Sequence, residues 1–254
     1  MIFHSSEGAG EPVVLIHGVG GDSGSWDAVA PLLAKRFRVI RLDLSGHGKS
    51  HLLKGPVTAE DFARDVIEVM DAVKVERAHV VGNSLGGQIA TALALGTPQR
   101  VKSMALISSV AGRTEQELKG ALARIEVLKE KGIGEIARGN VERWFTDGFR
   151  QKHPELVEAR INTLLRSDPV SYLHAFTVFA TADYADRLAQ IRVPTLIVTG
   201  EHDPSATPRM ARLMHERIAG SRVEILPGLR HSLLIEAPDR IAGLLQDFWA
   251  ASAA

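Results

Sequence analysis

The segment Gly82-Asn83-Ser84-Leu85-Gly86 holds a serine with a glycine two residues to either side. It follows the apolar run at 78–81 and precedes a helix-prone stretch, which places Ser84 at a predicted strand-to-helix turn. The backbone of such a turn is strained, tolerates only small neighbours and projects the serine hydroxyl out of the fold. A nucleophile needs this placement, so the pattern predicts Ser84 as one.

A serine hydroxyl becomes a useful nucleophile only beside a base, and the base must be oriented by an acid. Asp203 follows the apolar run at 193–199, and His231 follows the run at 222–226. Both runs are predicted strands, so both side chains would lie in loops at strand ends. We therefore predict that Ser84, Asp203 and His231 act as nucleophile, acid and base.

Two neighbours of Asp203 compete for these roles. Glu201 and His202 lie nearer the end of the strand, where they are less free to reach inward. Residues 108–111, which follow another predicted strand, contain no carboxylate. Asp203 is therefore the preferred acid.

The glycine-rich segment Gly18-Val19-Gly20-Gly21 follows the predicted strand at 12–16. Acyl transfer needs hydrogen-bond donors for the oxyanion of its tetrahedral intermediate. We predict that the backbone N–H groups of Val19 and Leu85 supply them, although a plain flexible turn has the same composition. The segment does not form a dinucleotide motif, because Ser23 stands where Gly-x-Gly-x-x-Gly needs its third glycine.

Two tryptophans and one arginine are the predicted substrate contacts. Trp26 follows the glycine-rich segment and either lines the acyl pocket or packs in the core. Trp144, followed by Phe145, either forms the ceiling of the site or joins helices to each other.

An acidic substrate would require a cation in the pocket. Arg113, Arg143 and Arg230 are the candidates for pairing with a substrate carboxylate. Arg230 is preferred because it adjoins His231, although neighbouring side chains often point apart. The remaining histidines show no metal-ligand spacing, so we predict neither a metal site nor a cofactor.

Short apolar runs alternate with helical patterns along most of the chain. The predicted strands are 12–16, 37–42, 78–81, 103–108, 193–199 and 222–226, and the predicted helices are 26–36, 58–73, 85–96, 208–218 and 238–250. Continuous apolar runs are typical of parallel strands buried on both faces. The alternation predicts an α/β fold, doubly wound around a mostly parallel central sheet.

The alternation stops between residues 111 and 192, where the sequence is helical and charged. We predict a core of residues 1–110 and 193–254 and a helical lid at 111–192, inserted between two strands. A segment that leaves at the carboxyl end of a strand can cover the edge of the sheet where ligands bind. The alternative is a set of extra helices packed at the side.

The amino-acid composition excludes several classes of protein for this chain. The 254 residues include 30 Lys+Arg, 30 Asp+Glu and no cysteine. This balance gives no case for a nucleic-acid or membrane partner, and the missing thiols exclude disulfides and thiolate chemistry. No apolar stretch has the roughly 20 residues of a membrane span. We expect a cytoplasmic enzyme with a small-molecule substrate, either a monomer or a homodimer.

The combined motifs resemble those of α/β-hydrolases over nearly the whole chain. They are the segments 17–21, 43–50 and 82–87 together with Asp203 and His231. Within that fold the chain looks most similar to the 3-oxoadipate enol-lactonases and their lactonase and esterase neighbours. The local signals are residues 143–146 and 202–208. The resemblance implies hydrolysis of a small ester, lactone or amide without a cofactor.

Other activities of the same fold stay open. Ser84 argues against haloalkane dehalogenases and epoxide hydrolases, which carry an aspartate nucleophile, but hydrolases of carbon–carbon bonds and perhydrolases retain the serine. A slow ligand sensor that keeps the triad is the alternative from another class. The chain departs from the enol-lactonases in its short N-terminus, in Asn83 and in Ser232-Leu233 after the base, which leaves the substrate open.

Overall fold

The computed structural model describes residues 1–252 and contains one seven-stranded sheet. The strands are β1 (His4–Glu7), β2 (Glu11–Ile16), β3 (Phe37–Leu42), β4 (Ala78–Asn83), β5 (Val101–Ile107), β6 (Thr195–Gly200) and β7 (Arg222–Leu226). Their order across the sheet is β1-β3-β2-β4-β5-β6-β7. Only β1 runs antiparallel to its neighbour, β3, and the other paired strands are parallel.

The described α-helices are α1 (Ala30–Leu33), α2 (Ala59–Ala72), α3 (Leu85–Gly96), α4 (Glu115–Lys131), α5 (Ile133–Trp144), α6 (Asp147–Lys152), α7 (Pro154–Leu165), α8 (Pro169–Thr181), α9 (Pro208–Arg217), α10 (Leu233–Glu236) and α11 (Pro238–Ser252). Helices cover both faces of the sheet. One core cluster joins it to α2, α3 and α9, and a second joins it to α1, α10 and α11. The doubly wound α/β prediction is confirmed.

Local sequence explains the confirmed elements. The interiors of β2 and β6 are fully buried runs of Val, Ile and Leu, as parallel strands covered on both faces require. Helix α2 begins where Thr58 accepts a hydrogen bond from the N–H of Asp61 and the Asp61 carboxylate accepts from the N–H of Thr58. This reciprocal cap satisfies two donors that the helix itself leaves without partners.

Two parts of the N-terminal region differ from the prediction. The predicted helix at 26–36 is too long, because the side chain of Asp22 caps a 3-10 turn at Ser23–Trp26 and only Ala30–Leu33 of the predicted range forms the α-helix α1. Strand β1 was not predicted, since its sequence is short and polar. It is an edge strand that pairs with β3 and not with β2.

The five helices α4–α8 form an insertion between β5 and β6, and we use this name for residues 111–192. They have a hydrophobic cluster of their own, with Trp144, Phe145, Leu164 and Tyr172 among its members. Residues 184–191, at the end of the insertion, pack instead on the main core. The carboxylate of Asp183 accepts hydrogen bonds from backbone N–H groups of both connecting segments, those of Gly112 and Ala185 among them.

Across residues 1–252, the helices are all too short or too polar to cross a lipid bilayer.

Candidate active site

Ser84 lies between β4 and α3 with a left-handed backbone conformation, φ +56° and ψ −115°. Its own N–H donates to the carbonyl of Ile107 on the neighbouring strand, at 2.8 Å. A Cβ atom on Gly82 would overlap the carbonyl of Gly86, and one on Gly86 would overlap the carbonyl of Ile16. The glycines are required because the chain turns too tightly there for any side chain.

Asp203 and His231 meet at the carboxyl edge of the sheet. His231 Nδ1 lies 2.7 Å from Asp203 Oδ2. Asp203 Oδ1 accepts hydrogen bonds from the N–H groups of Ser205 and Ala206, so the carboxylate is fully partnered on both oxygens. An ionised carboxylate only accepts, which puts the proton of the neutral imidazole on Nδ1 and leaves Nε2 free to accept another.

The loop of His231 is held from both sides. The hydroxyl of Ser108 donates to the His231 carbonyl at 3.1 Å, and Ser108 itself has a positive φ of 46°. The N–H of Ser232 donates to the carbonyl of Trp144, at the end of α5. These contacts fix the imidazole relative to the sheet on one side and to the insertion on the other.

The glycine-rich segment Gly18–Gly21 forms a tight turn against the serine. The Gly21 N–H donates to the Gly18 carbonyl at 3.1 Å, and Gly20 has φ +63°. A Cβ atom on Gly18 would lie 3.1 Å from the Cβ of Ser84. Leu85 is the first residue of α3, where a helix leaves its N–H groups without internal partners.

His17 fixes one peptide plane of this turn. Its Nδ1 donates to the Gly18 carbonyl at 2.8 Å, and its Nε2 accepts from the Leu44 N–H at 3.0 Å. Complete burial lowers the pKa of His17 to about 4, so the ring is neutral at pH 7. Because the Gly18 carbonyl and the Val19 N–H point in opposite directions across one trans peptide, holding the carbonyl also aims the N–H.

One cavity contains both Ser84 and His231. It is lined by the turn at 18–21, by Asn83 and by side chains of the insertion, and its volume is about 90 Å³. Val19 and Trp144 line it as well. The insertion therefore lies over the carboxyl edge of the sheet, where the sequence places all the predicted catalytic residues.

The structure does not bring two predicted substrate contacts to this cavity. Trp26 is fully buried and packs with Val13 and Leu33 in the core on the α1 face, because the 3-10 turn directs its ring inward. Arg230 donates to the carbonyl of Glu142, and its guanidinium lies 4.0 Å from the carboxylate of Asp147. It joins the loop of His231 to the insertion. Trp144 is the predicted contact that does line the cavity.

The other two arginine candidates also make structural contacts. Arg113 donates to the carbonyl of Phe179. Arg143 donates to the hydroxyl of Ser205 and to the carbonyl of Pro204, beside the acid. Both connect the insertion internally or to the core, and neither lines the cavity.

Sequence reasoning missed the two arginines that do line the cavity, Arg124 on α4 and Arg160 on α7. Arg124 donates to Oδ1 of Asn140, and Arg160 donates to main-chain carbonyls of the turn at 18–21. Neither forms an ion pair with any described residue. Burial lowers the pKa of both guanidinium groups, and both stay charged at neutral pH. Both belong to helices rich in charged residues, where the sequence gives no sign of which side chain faces inward.

Asn83 completes the polar lining, and its Oδ1 is buried without a hydrogen-bond partner in the described structure. Residues 1–252 contain no group of three or more His, Asp or Glu side chains arranged to hold a metal ion.

Comparison with known proteins decides the family. A family model described as the alpha/beta hydrolase fold matches residues 11–238. The chain belongs to that family. It is therefore a hydrolase, as the resemblance in the sequence implies.

Relatives and solved structures agree with this family. The 3-oxoadipate enol-lactonase 1 of Acinetobacter baylyi is 29% identical over 93% of this chain and 87% of its own length. The (E)-2-((N-methylformamido)methylene)succinate hydrolase of the same organism is 30% identical over 94% of this chain and 90% of its own. The crystal structure of the enol-lactonase from Burkholderia xenovorans LB400 superimposes with a TM-score of 0.92 at 30% identity, covering 98% and 96% of the two chains.

Proposed function

We propose that this protein is a serine hydrolase that cleaves a small ester or lactone through an acyl-enzyme. The observation that carries the proposal is the Asp203–His231 pair beside a strained Ser84 in one cavity. His231 Nε2 removes the Ser84 proton during attack on the substrate carbonyl, and Asp203 stabilises the imidazolium that forms. The imidazolium then gives that proton to the leaving oxygen of the ester or lactone as the acyl-enzyme forms. His231 next removes a proton from water, the resulting hydroxide attacks the acyl-enzyme, and the carboxylic acid leaves as Ser84 regains its proton.

The oxyanion is held by two backbone N–H groups, those of Val19 and Leu85. The first belongs to the peptide that His17 orients, and the second lies at the N-terminus of α3. A helix N-terminus carries a partial positive charge, which favours the developing anion. Leu85 follows Ser84 directly, and Gly18, the residue before Val19, lies against the Ser84 side chain.

The cavity further supports a substrate that carries a carboxylate. The guanidinium of Arg124 lies over the ring of Phe176 and makes one hydrogen bond in the described structure, to Asn140, so its remaining donors are free for a ligand. A partly buried cation without an anionic partner is costly, and a substrate carboxylate would offset that cost with charge-assisted hydrogen bonds. The names of both Acinetobacter relatives refer to dicarboxylic acids, an oxoadipate and a succinate. A cavity of about 90 Å³ has room for about six to nine water-sized groups, which favours a short acyl chain.

Turnover of Ser84→Ala tests the proposal. We expect kcat for a p-nitrophenyl ester to fall by about 10⁴-fold or more, while the melting temperature stays near that of the wild type. The matched control is Ser103→Ala, which removes another buried serine hydroxyl, on β5. Unchanged turnover in Ser84→Ala would contradict the proposal.

A pair of substrates tests the carboxylate assignment in the same assay. The p-nitrophenyl monoester of succinic acid should exceed p-nitrophenyl butyrate in kcat/KM by about tenfold or more, since one charge-assisted contact contributes roughly 1.5–3 kcal/mol. Arg124→Met should remove this preference and leave the neutral ester unaffected. Equal preference in both proteins would reject Arg124 as the carboxylate site.

A wider panel separates the alternatives. Faster turnover of an amide, or of a vinylogous diketone cleaved at a carbon–carbon bond, would replace the ester as the substrate. Slow turnover of every compound together with a ligand-dependent rise in melting temperature would indicate a sensor.

A further inference from the structure

The turn at 18–21 is held from outside as well as from inside. Within the core, the Gly18 carbonyl accepts hydrogen bonds from His17 Nδ1 and from the Gly21 N–H. The next two carbonyls point to the insertion. There the guanidinium of Arg160 donates to the Gly20 carbonyl at 2.8 Å and to the Val19 carbonyl at 3.3 Å.

Arg160 is itself immobilised by the insertion. Its guanidinium lies over the ring of Trp144 at 4.4 Å from the centroid. No described carboxylate forms an ion pair with it, so its hydrogen bonds in the described structure are those to the turn. A planar guanidinium can reach two adjacent carbonyls at once while its face rests on an aromatic ring, which an ammonium cannot do.

The insertion and the turn are also in direct van der Waals contact. A Cβ atom on Gly20 would lie 2.5 Å from Leu164 Cδ1 and 2.7 Å from Tyr172 Cε2. Leu164 belongs to α7, as Arg160 does, and Tyr172 belongs to α8. Side chains of two insertion helices therefore rest on the turn, and glycine is the residue that leaves room for them.

Val19 lies between two peptide planes, one held by a residue of the core and the other by a residue of the insertion. His17 holds the plane that contains the Val19 N–H, and Arg160 holds the next plane, which contains the Val19 carbonyl. Tight turns differ chiefly in the orientation of this central peptide. The two planes share the Val19 Cα, so holding the central peptide also fixes the position of that atom and of the N–H group bonded to it.

We propose that Arg160 is a positioning residue, which holds the Val19 N–H in its catalytic orientation by fixing the Val19 and Gly20 carbonyls. The inference rests on the proposed function, in which that N–H stabilises the oxyanion. It gives the insertion a part in the chemical step in addition to enclosing the substrate. It also gives the two cavity arginines different roles. Arg124 has free donors for a substrate carboxylate, whereas Arg160 donates its hydrogen bonds to the main chain.

The test compares Arg160→Met and Arg160→Lys with Arg166→Met. Arg166 lies at the end of the same helix, is exposed and contacts only Thr163 through its side chain in the described structure. We expect kcat of Arg160→Met to fall about 10- to 100-fold on both the neutral and the anionic ester, with KM changed by less than about threefold. Arg160→Lys should lose less, and Arg166→Met nothing. Rates are divided by the number of active sites titrated with a fluorophosphonate, which corrects for unfolded protein.

The affinity of a transition-state analogue distinguishes a weakened oxyanion site from a general loss of packing. An alkyl trifluoromethyl ketone forms a hemiketal oxyanion on the serine, so its affinity for Arg160→Met should fall by the same factor as kcat/KM.

Each other outcome overturns the inference. A rise in KM confined to the anionic ester would make Arg160 a substrate contact, and kinetics equal to those of Arg166→Met would leave it a packing residue. If Arg160→Met does not fold, Arg160→Lys decides between the same outcomes. Inactive Ser84→Ala together with an unaffected Arg160→Met would reject this inference alone, whereas active Ser84→Ala would reject the proposed function.

Discussion

Two groups of serine, histidine and carboxylate lie on the same sheet, one at each end of its strands. At the carboxyl end are Ser84, His231 and Asp203, and near the other end are Ser103, His79 and Glu11. In the second group His79 Nδ1 lies 2.7 Å from the Ser103 hydroxyl, and His79 Nε2 lies 3.0 Å from Glu11 Oε2. The residue types of a triad are thus present twice, but the ring nitrogens are used differently. His231 turns Nδ1 to its carboxylate, whereas His79 turns Nδ1 to its serine and Nε2 to its carboxylate.

The two serines differ in backbone conformation and in exposure. Ser84 has φ +56° at a strand-to-helix turn and lines a cavity. Ser103 lies within the regular strand β5, paired with His79 in register, and only 1% of its surface is exposed. Its histidine is covered by the ring of Trp249, at a centroid distance of 4.9 Å. A substrate has no access to Ser103, so we expect the turn and the cavity to decide which serine acts as a nucleophile, and not the hydrogen-bonded chain alone.

Replacing each histidine by glutamine should give the largest difference in kcat between the two groups. His231→Gln removes the proposed base, and kcat should fall by about 10⁵-fold or more, with KM little changed. His79→Gln should leave kcat within about twofold and lower the free energy of unfolding by roughly 1–3 kcal/mol, because a buried, doubly hydrogen-bonded ring is lost. Ester turnover and urea denaturation of both variants measure the two effects. A large loss of kcat in His79→Gln would show that the two ends are coupled.

The carboxylates give the next contrast. Asp203→Asn presents an amide to His231 Nδ1, favours the wrong tautomer and should lower kcat about 10⁴-fold at neutral pH. Glu11 is 56% exposed and pairs with Lys102 at the surface, so Glu11→Gln should cost less than about 1 kcal/mol of stability and no activity. The same two assays apply. Near-normal turnover in Asp203→Asn would mean that another group orients His231.

These contrasts also show what the sequence predicts and why. Apolar runs identify β4, β6 and β7, and parallel strands end at one edge, so residues that follow them must converge there. The convergence of Ser84, Asp203 and His231 could be predicted in this way because each lies in the turn or loop that follows such a strand. The pairing of His79 with Ser103 depends on the register of β4 against β5, which two apolar runs do not reveal.

The substrate contacts were harder to predict for a related reason. Arg124 and Arg160 face the cavity only because of how α4–α8 pack together, and every charged position on those helices looks equivalent in the sequence. Arg230 adjoins the base, but its side chain extends to the insertion instead. Predicted placements agree with the structure where a strand end sets the direction of a residue. Tertiary packing sets the directions of Trp26 and Arg230, and these two differ from the prediction.

The smallest expected difference between the two ends of the strands is in how low pH changes the free energy of unfolding. Burial is the main cause that lowers the pKa of His47, near the active site, to about 3, and of His17 to about 4. Burial also lowers the pKa of His79, where the hydrogen bond to the Glu11 carboxylate opposes it. The unfolded chain titrates these histidines near pH 6.5, so between that pH and the folded pKa it binds more protons and stability falls as the pH falls.

The slope of the unfolding free energy against pH can be estimated from the number of protons that the unfolded chain binds in excess. Because His47 stays neutral in the folded protein throughout the range from pH 6.5 to 4.5, it contributes up to about 1.4 kcal/mol of lost stability per pH unit. The coulombic attraction of Asp43 opposes the shift but does not cancel it. Asp65 and Glu236, whose pKa values burial raises, act with the opposite sign and offset part of the loss. His47→Gln should therefore flatten the plot of unfolding free energy against pH by nearly one proton, and His79→Gln by less. Urea denaturation at pH 6.5, 5.5 and 4.5 measures both slopes, and a greater flattening in His79→Gln would place the acid-sensitive end of the sheet away from the active site.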